Sequence, residues 1–317
     1  MVIDGKRLRL THLDKVYYPA TGFTKADVID YYRAIAPALL SHLRGRPLTL
    51  KRYPEGVNGE HFYEKRCPPH RPTWVRTAPI WSEGHGRMVD YCVIEDLAAL
   101  IWAVNLADLE FHVSLSLAKA MERPRTMVFD LDPGEPASII ECAQVGLWVR
   151  EIFDSLGLKS FPKTSGSKGL QVYVPLNLSG REAVTYDETK AFSHAIARLL
   201  EQEHPTEVVS LMRKSLRHGK VFVDWSQNDE HKTTVCVYSL RARERPTVST
   251  PVLWEEVEEA WRRRDARPLT FSSADALARY HEHGDLFAPV LHLQQALPRL
   301  GPASRRTPAA SSRRAHE

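Results

Sequence analysis

The chain has 317 residues, 43% of them hydrophobic and 26% charged, and its formal net charge at pH 7 is +4. A chain of this length can bury a large core in one domain or two, and its composition is ordinary for a soluble globular protein. No apolar run approaches the roughly 20 residues of a membrane span, and the opening stretch MVIDGKRLRL has no apolar signal core. These features exclude membrane and secreted classes, and we expect a cytoplasmic protein.

Cysteines and basic residues give two further expectations. The cysteines, Cys67, Cys92, Cys142 and Cys236, lie far apart without the paired spacing of a zinc site, so we predict reduced thiols rather than a metal site or a disulfide. Basic residues are clustered, which suits a polyanionic partner but is also common on solvated surfaces. The clusters cover residues 51–52, 65–66, 213–220, 241–245 and 262–264.

Apolar periodicity and turn residues predict a mixture of helices and strands along the chain. Thr24 is the predicted N-cap of the first helix. Predicted helices cover residues 25–42, 96–105, 139–156, 186–203 and 254–263. Predicted strands cover residues 48–53, 77–81, 88–94, 110–115, 126–131, 160–163, 170–175 and 221–225, with a loop-rich stretch at 57–74 and a turn at 82–86. We therefore expect an α/β (α+β) fold in which helices flank mixed or antiparallel central sheets.

The segment RTMVFDLDPGE, residues 125–135, places two aspartates on a buried strand that Pro133 and Gly134 end. Because side chains alternate along a strand, Asp130 and Asp132 point to one side, about 6–7 Å apart. Two carboxylates so close repel unless a proton or a cation lies between them, and hard oxygen ligands suit magnesium or manganese. A solvated strand end is the alternative for this pair alone.

The segment KTSGSKGLQVYVPL, residues 163–176, carries a loop of small residues with Lys168 at its centre. Backbone N–H groups and one ammonium group are suited to binding phosphate, although the Walker spacing is absent. A tight hairpin with a solvated lysine is the alternative.

A third carboxylate, Asp224, follows in KVFVDWSQND, residues 220–229, on the strand face of Phe222, which we expect to be apolar. A buried acid needs a partner or a metal, and three carboxylates can hold two ions that stabilise the attacking and leaving oxygens at phosphorus. An aspartate that caps the next turn is the alternative. Basic side chains suited to a triphosphate or a nucleic-acid backbone follow at Lys232, Arg241, Arg243 and Arg245. Together these motifs indicate nucleotidyl transfer.

Four of these stretches, DLDPGE, SGSKGLQVYVPL, VFVDWSQND and KTTVCVYSLRARERPTVSTPV, closely resemble the polymerase domain of bacterial DNA ligase D. That domain belongs to the archaeo-eukaryotic primase-polymerase superfamily and acts in non-homologous end joining. The similarity runs from residue 11 to about residue 291, and no ligase or nuclease motif is present. We expect a stand-alone form or an excised domain, with a primase-polymerase-like domain over residues 1–297 and a disordered basic tail over 298–317.

The resemblance implies a function and a set of site residues. It implies addition of NTPs, preferentially ribonucleotides, to 3′ ends at gaps or double-strand breaks, near the nucleoid, with a Ku-type protein and a DNA ligase as partners. Two Mn²⁺ or Mg²⁺ ions would be held by Asp130, Asp132 and Asp224. The nucleotide would contact His112, Ser165, Gly166, Lys168, Gln171 and Arg241. DNA would contact Lys15 and Lys25 through its 5′-phosphate, Phe62 and Tyr63 by stacking, and Lys51, Arg52 and Arg217 near the template.

One position departs from the family pattern, because Gln171 stands where the family usually has a histidine that faces the triphosphate. Glutamine donates a hydrogen bond but carries no charge and transfers no proton. We expect weaker nucleotide binding or slower transfer, with DNA binding retained. Two other functions stay open: a primase that starts chains without a primer, and a non-catalytic module that bridges DNA ends.

Overall fold

The computed structural model describes residues 1–82 and 86–298. The predicted turn over residues 82–86 lies mostly outside the described residues, and so does the predicted tail over 298–317 apart from Pro298. No helix in the described part of the chain is both long enough and apolar enough to cross a membrane.

The helices and strands follow the predicted order closely. Helices are α1 (Lys25–Leu43), α2 (Leu97–Asn105), α3 (Ile139–Ser155), α4 (Tyr186–Glu203), α5 (Trp254–Arg263), α6 (Ser273–His283) and α7 (Pro289–His292). Strands are β1 (Val2–Ile3), β2 (Lys6–Arg7), β3 (Val16–Tyr18), β4 (Phe23–Thr24), β5 (Leu48–Arg52), β6 (Phe62–Glu64), β7 (Arg76–Ser82), β8 (Arg87–Val93), β9 (Asp108–Val113), β10 (Ser116–Leu117), β11 (Ala120–Pro124), β12 (Thr126–Pro133), β13 (Phe161–Thr164), β14 (Leu170–Pro175), β15 (Val208–Val209), β16 (Val221–Asp224), β17 (Thr234–Val235), β18 (Leu240–Ala242) and β19 (Pro246–Val248). The predicted helices α1 to α5 are confirmed, whereas α6 and α7 were not predicted. The predicted strands are present as β5, β7, β8, β9, β12, β13, β14 and β16, whereas the other, short strands were not predicted, among them β6 in the stretch expected to be loop-rich.

The predicted start of α1 is confirmed in detail. The hydroxyl oxygen of Thr24 accepts a hydrogen bond from the Asp27 N–H at 3.3 Å, and the Asp27 carboxylate accepts one from the Thr24 N–H at 2.7 Å. This reciprocal capping satisfies two N–H groups that have no partner inside the helix.

Two sheets form the centre of the fold. The five-stranded sheet has the order β13-β14-β12-β16-β15 and is antiparallel except where β15 runs parallel to β16. The six-stranded sheet has the order β17-β9-β5-β8-β7, with β6 paired to β5, and is antiparallel. The expected α/β fold with mixed and antiparallel sheets is confirmed.

Two apolar clusters hold these sheets against their helices. The first packs α1 and α2 on the six-stranded sheet and includes Tyr32, Leu100 and Phe111. The second packs α3 and α4 on one face of the five-stranded sheet and includes Leu131 and Val223. Because the second cluster covers only one face, the opposite face of β12 and β16 is available for a site.

Cys67 and Cys92 form a disulfide with 4.8 Å between their Cα atoms, so the prediction of four reduced thiols is wrong for this pair. The Cys67 N–H donates to the carbonyl of Asp90 on β8 at 2.7 Å, which brings the loop before β7 alongside the strand. Sequence spacing could not show this tertiary contact across 25 residues. Cys142 and Cys236 are free and buried, as predicted.

The end of β12 is attached to the chain that precedes β16. The Gly134 N–H donates to the Lys220 carbonyl at 2.8 Å, and the Gly134 carbonyl accepts from the Gly219 N–H at 3.0 Å. A Cβ atom at Gly134 would lie 1.8 Å from the carbonyl oxygen of Arg217. Only glycine permits this approach of two backbones.

Candidate functional site

A row of polar residues crosses the five-stranded sheet. Asp130 on β12 pairs in register with Asp224 on β16 and with Gln171 on β14, and Gln171 pairs with Lys163 on β13. Directly paired residues of antiparallel strands point to the same side, as does Asp132 two residues along β12. The structure therefore brings the three predicted carboxylates to one face of the sheet.

The face that carries Phe222 is polar, so the prediction of an apolar face is wrong. Phe222 pairs with Asp132, and the guanidinium carbon of Arg217 lies 3.6 Å from the centre of the Phe222 ring. Leu131 and Val223 point to the opposite side and belong to the buried core. Arg217, predicted to lie near the active site, is thus placed beside Asp132.

Burial and mutual repulsion act on the carboxyl groups of this face. The pKa of Asp130 is raised to about 7. Burial is the larger cause and the charge of Asp132 the second, whereas a hydrogen bond with Gln171 opposes the rise. Burial and then the charge of Asp224 also raise the pKa of Asp132, against the opposing charge of Arg217. The protein's own groups leave this repulsion only partly compensated, and a divalent cation would relieve it.

The carboxylate of Asp224 is bound to its own turn. Its Oδ1 accepts from the Ser226 N–H at 3.0 Å, and its Oδ2 accepts from Gln227 Nε2 at 3.1 Å. Asp224 therefore also caps this turn, the role given above as the alternative to metal binding. Among residues 1–82 and 86–298, no three His, Cys, Asp or Glu side chains are grouped closely enough to hold a metal ion. The donor chemistry of three carboxylates fits magnesium or manganese, and Asp224 would have to exchange hydrogen bonds to become a ligand.

The loop between β13 and β14 carries the predicted phosphate-binding residues. The Lys168 side chain is 60% exposed and pairs with Glu135 at 2.7 Å. Ser165 Oγ accepts from two N–H groups of the loop, at 3.1 and 3.2 Å. Gly166 has a φ of +67°, and a Cβ atom there would lie 2.6 Å from the backbone of Val248. A cavity of about 280 Å³ adjoins this loop. The loop is therefore shaped by its glycine, and its ammonium group can reach solvent.

Glu110 on β9 was not predicted, yet it joins several residues that were. Its carboxylate lies 3.0 Å from His112 Nε2, 3.3 Å from Lys51 Nζ and 3.3 Å from Arg241 Nε. Arg241 also donates to the carbonyl of Ser165, which connects β9 to the lysine loop. Burial disfavours the charge of Glu110, but the hydrogen bond from His112 and the charges of Arg241 and Lys51 hold its pKa below the usual range. The two-residue spacing of Glu110 and His112 was the signal available in the sequence.

Two aromatic rings lie exposed beside this cluster. Phe62 and Tyr63 on β6 are 43% and 58% exposed. The Arg52 guanidinium lies 5.1 Å from the Phe62 ring centre, and Lys51 Nζ lies 5.3 Å from that of Tyr63. Tyr63 also meets the His112 ring edge-on at 5.9 Å. Exposed rings next to cations are suited to stacking on nucleobases.

Lys15 and Lys25 are placed differently from the other predicted DNA contacts. Lys25 is 3% exposed, and its Nζ donates to the carbonyls of Thr11 and Asn105 at 2.8 and 2.7 Å. Lys15 Nζ pairs with Glu55 at 2.6 Å. Burial and then the charge of Lys15 lower the pKa of Lys25 to about 8. Their role at a 5′-phosphate stays a prediction.

Lys163, at the far end of the polar row, was also missed. It is 0% exposed, and its Nζ donates to Ser249 Oγ at 2.7 Å. Burial lowers the pKa of Lys163 to about 7. Its place as the first residue of KTSGSKG was the only signal in the sequence.

Known proteins are similar to this chain in both sequence and fold. The family model described as the LigD primase-polymerase domain matches residues 24–287. The sheet with its acids and this match define a nucleotidyltransferase of the primase-polymerase type. The chain belongs to the LigD primase-polymerase domain family, as the sequence resemblance indicated.

Relatives agree with this assignment. The chain is 42% identical over 287 residues to the multifunctional non-homologous end joining protein LigD of Mycolicibacterium smegmatis, which covers 90% of this chain and 36% of that protein. It is 35% identical over 254 residues to the bifunctional non-homologous end joining protein LigD of Bacillus subtilis, covering 80% of this chain and 40% of that protein. The chain thus spans well under half the length of these relatives. The solved polymerase domain of Mycobacterium tuberculosis ligase D in complex with DNA superimposes with a TM-score of 0.81 at 38% identity, covering 90% of this chain and 98% of that chain.

Proposed function

We propose that this protein adds nucleotides, preferentially ribonucleotides, to DNA 3′ ends at gaps or double-strand breaks during non-homologous end joining. The observation that carries the proposal is the register of the five-stranded sheet, which sets Asp224 opposite Asp130 and on the face of Asp132. Membership of the LigD primase-polymerase domain family supports the same reaction.

DNA is the proposed template and primer. The similar domain from Mycobacterium tuberculosis was solved in complex with DNA. In this chain, the exposed rings of Phe62 and Tyr63 offer a stacking surface, where each stacked base contributes about 1–3 kcal/mol. Lys51 lies on the Tyr63 side of β5 and Arg52 on the Phe62 side, and these cations, together with Arg217 beside Asp132, would neutralise phosphates. A 5′-phosphate at Lys15 and Lys25, and recruitment by a Ku-type protein beside a DNA ligase, belong to the same proposal.

Asp130, Asp132 and Asp224 are the proposed ligands of two divalent cations, Mn²⁺ or Mg²⁺. When bound, the ions would lower the pKa of the primer hydroxyl and neutralise the triphosphate. Lys168 would exchange its exposed partner Glu135 for triphosphate oxygens. Arg241, held by Glu110 and by the Ser165 carbonyl, would approach the nucleotide already oriented. His112 would contact the ribose from the same cluster.

The test is extension of a gapped duplex that carries a 5′-phosphate, comparing NTP with dNTP and manganese with magnesium. We expect ribonucleotide incorporation, which Asp224→Ala abolishes while DNA binding persists. The exposed Asp14→Ala serves as the matched carboxylate control. Persistent extension by Asp224→Ala would refute the role of the three acids.

The same assay separates the two rival functions. Synthesis on a template without a primer would identify a primase. Tight binding to 5′-phosphorylated gaps with no incorporation under any metal would identify an end-bridging module.

A further inference from the structure

A second basic cavity lies away from the acidic face of the sheet. Its volume is about 730 Å³, within the range of small-molecule sites. Its basic lining residues are Arg44, Arg46, Arg76, Lys119, Arg125 and His292. Arg125 immediately precedes β12, five residues before Asp130. At a rise of about 3.3 Å per residue, the backbones of these two residues lie about 16 Å apart along the strand.

The cations of this cavity are poorly neutralised. Arg76 pairs with Glu95, the acidic residue of the lining. Among the described residues, no carboxylate forms an ion pair with Arg44, Arg46 or Arg125. A concentration of unpaired positive charge in a concave site attracts anions.

Arg46 is the most buried cation of this lining, at 8% exposed, and within the described residues its guanidinium makes one hydrogen bond, from Nη1 to the Ser114 carbonyl at 2.8 Å. A guanidinium group has five N–H donors, and those of Arg46 that bind no described residue are left to solvent or to a ligand. Burial lowers the pKa of Arg46, and the neighbouring charge of Arg125 acts in the same direction. An anion in the cavity would remove both penalties.

The cavity walls are fixed before any ligand arrives. Arg125 Nε donates to the Asn177 side-chain oxygen at 3.0 Å, and the Asn177 amide donates to the carbonyls of Val290 and Leu293 at 2.9 Å. Gly45, with a φ of +71°, forms the turn that places its two neighbouring arginines on the wall. Preorganised guanidinium groups bind phosphate through paired hydrogen bonds.

We propose that this cavity is a second anion site that binds the terminal phosphoryl groups of a small ligand, either a nucleoside triphosphate or pyrophosphate. Arg44 and Lys119 are exposed whereas Arg46 is buried, and a small phosphorylated ligand is the occupant that suits a concave site of this volume. The site is independent of the nucleotidyl-transfer face.

The test is calorimetric titration of the full chain with pyrophosphate and with ATP at low salt in EDTA. All titrations use the Lys168→Gln protein, because this change weakens phosphate binding at the loop between β13 and β14 and leaves the second cavity as the site that is measured. We expect pyrophosphate to bind this protein, and Arg125→Gln or Arg44→Gln to weaken binding about 10-fold, as loss of one charged hydrogen-bond partner predicts. Arg198→Gln, an exposed charge on α4, is the matched control and should change nothing. Thermal melts establish that each variant is folded.

Both arms of the titration report on the proposal. Tighter binding of ATP would identify a nucleotide as the ligand, and equal affinities would identify the diphosphate group alone. The proposal fails if the Lys168→Gln protein binds no pyrophosphate, or if Arg125→Gln and Arg44→Gln both bind it like the parent. It also fails if an oligonucleotide without terminal phosphate binds there and pyrophosphate does not.

Discussion

Glu110 is a buried carboxylate shared by three cationic or titratable side chains, and its position makes it the organising residue of the nucleotide side of the site. Its Oε2 lies within 3.3 Å of nitrogen atoms of Lys51, His112 and Arg241. Glu110 forms hydrogen bonds with Lys51 and His112 and an ion pair with Arg241, and such support fixes the rotamers on which catalytic geometry depends. Glu110 therefore acts as a positioning residue.

We predict that Glu110→Gln lowers kcat/KM for nucleotide incorporation about 10- to 100-fold, because charge-assisted hydrogen bonds contribute about 1.5–3 kcal/mol each. Burial lowers the pKa of His112, and Glu110 counteracts that effect. Loss of the glutamate charge should lower the pKa of His112 further and move the acidic limb of the pH–rate profile to lower pH. Glu122→Gln, an exposed change on β11, is the control. A folded variant with the parental rate and profile would contradict this role.

Gln171 supplies the second prediction at this scale. It lies between Lys163 and Asp130 in the register and forms a hydrogen bond with Asp130. We predict that Gln171→His lowers KM for the nucleotide about 5-fold, since a protonated imidazole adds about 1 kcal/mol of charged hydrogen bonding. Single-nucleotide extension kinetics measure this. If Gln171→His incorporates nucleotides no better than the parent, the glutamine is not what limits nucleotide use.

At the scale of elements, β12 and β16 concentrate three acids on one face of the sheet, where apolar residues would be more stable. The folded pKa of Asp130, about 7, lies above its ordinary value of 3.8. Well below the ordinary value, both folded and unfolded chains hold the proton. As the pH rises toward 7, the unfolded chain releases it first, so the free energy of unfolding falls until Asp130 ionises in the fold.

We therefore predict that, in EDTA, Asp130→Asn is more stable than the parent by about 4 kcal/mol at pH 8, or roughly 10 °C in Tm, and by about a quarter of that at pH 4.5. Added Mn²⁺ should raise the Tm of the parent and leave that of Asp130→Asn nearly unchanged. Melting curves at both pH values, with Asp14→Asn as the control, measure the difference. A parent whose Tm at pH 8 exceeds that of Asp130→Asn without metal would count against the repulsion described here.

The elements that were predictable are those encoded locally. Thr24 signals the start of α1 by its own side chain, and Pro133 with Gly134 marks the end of β12. Helix α6 has a similar signal, because Ser272 and Asp275 form a capping box that was overlooked. The roles of Glu110 and Lys163 were not predictable, since they depend on which strands become neighbours. The polar surroundings of Phe222 were not predictable either. They depend on Asp132, which pairs with Phe222 across the sheet, and on the Arg217 guanidinium, which lies over the Phe222 ring.

At the scale of the whole molecule, the Cys67–Cys92 disulfide connects the loop before β7 to β8. Closing a loop of this length is worth about 3 kcal/mol in the chain-entropy description. We predict that reductant lowers the Tm by roughly 6–10 °C. The double variant Cys67→Ser with Cys92→Ser should start at the lower Tm and show no response to reductant. A parent with equal Tm values in both conditions would mean that the bond contributes nothing.

The attachment of Gly134 to the segment around Arg217 connects the strand that carries Asp130 and Asp132 with a residue proposed to contact the template. Two backbone hydrogen bonds and a contact that excludes any side chain join the tip of β12 to this segment. If a template strand binds Arg217, as proposed above, its binding energy and the position of Asp132 are linked through these backbone contacts, and any such coupling must be reciprocal. Under the proposed function, a substitution at Gly134 would disturb the carboxylate face and the segment around Arg217 together, because the backbone of one packs directly on that of the other.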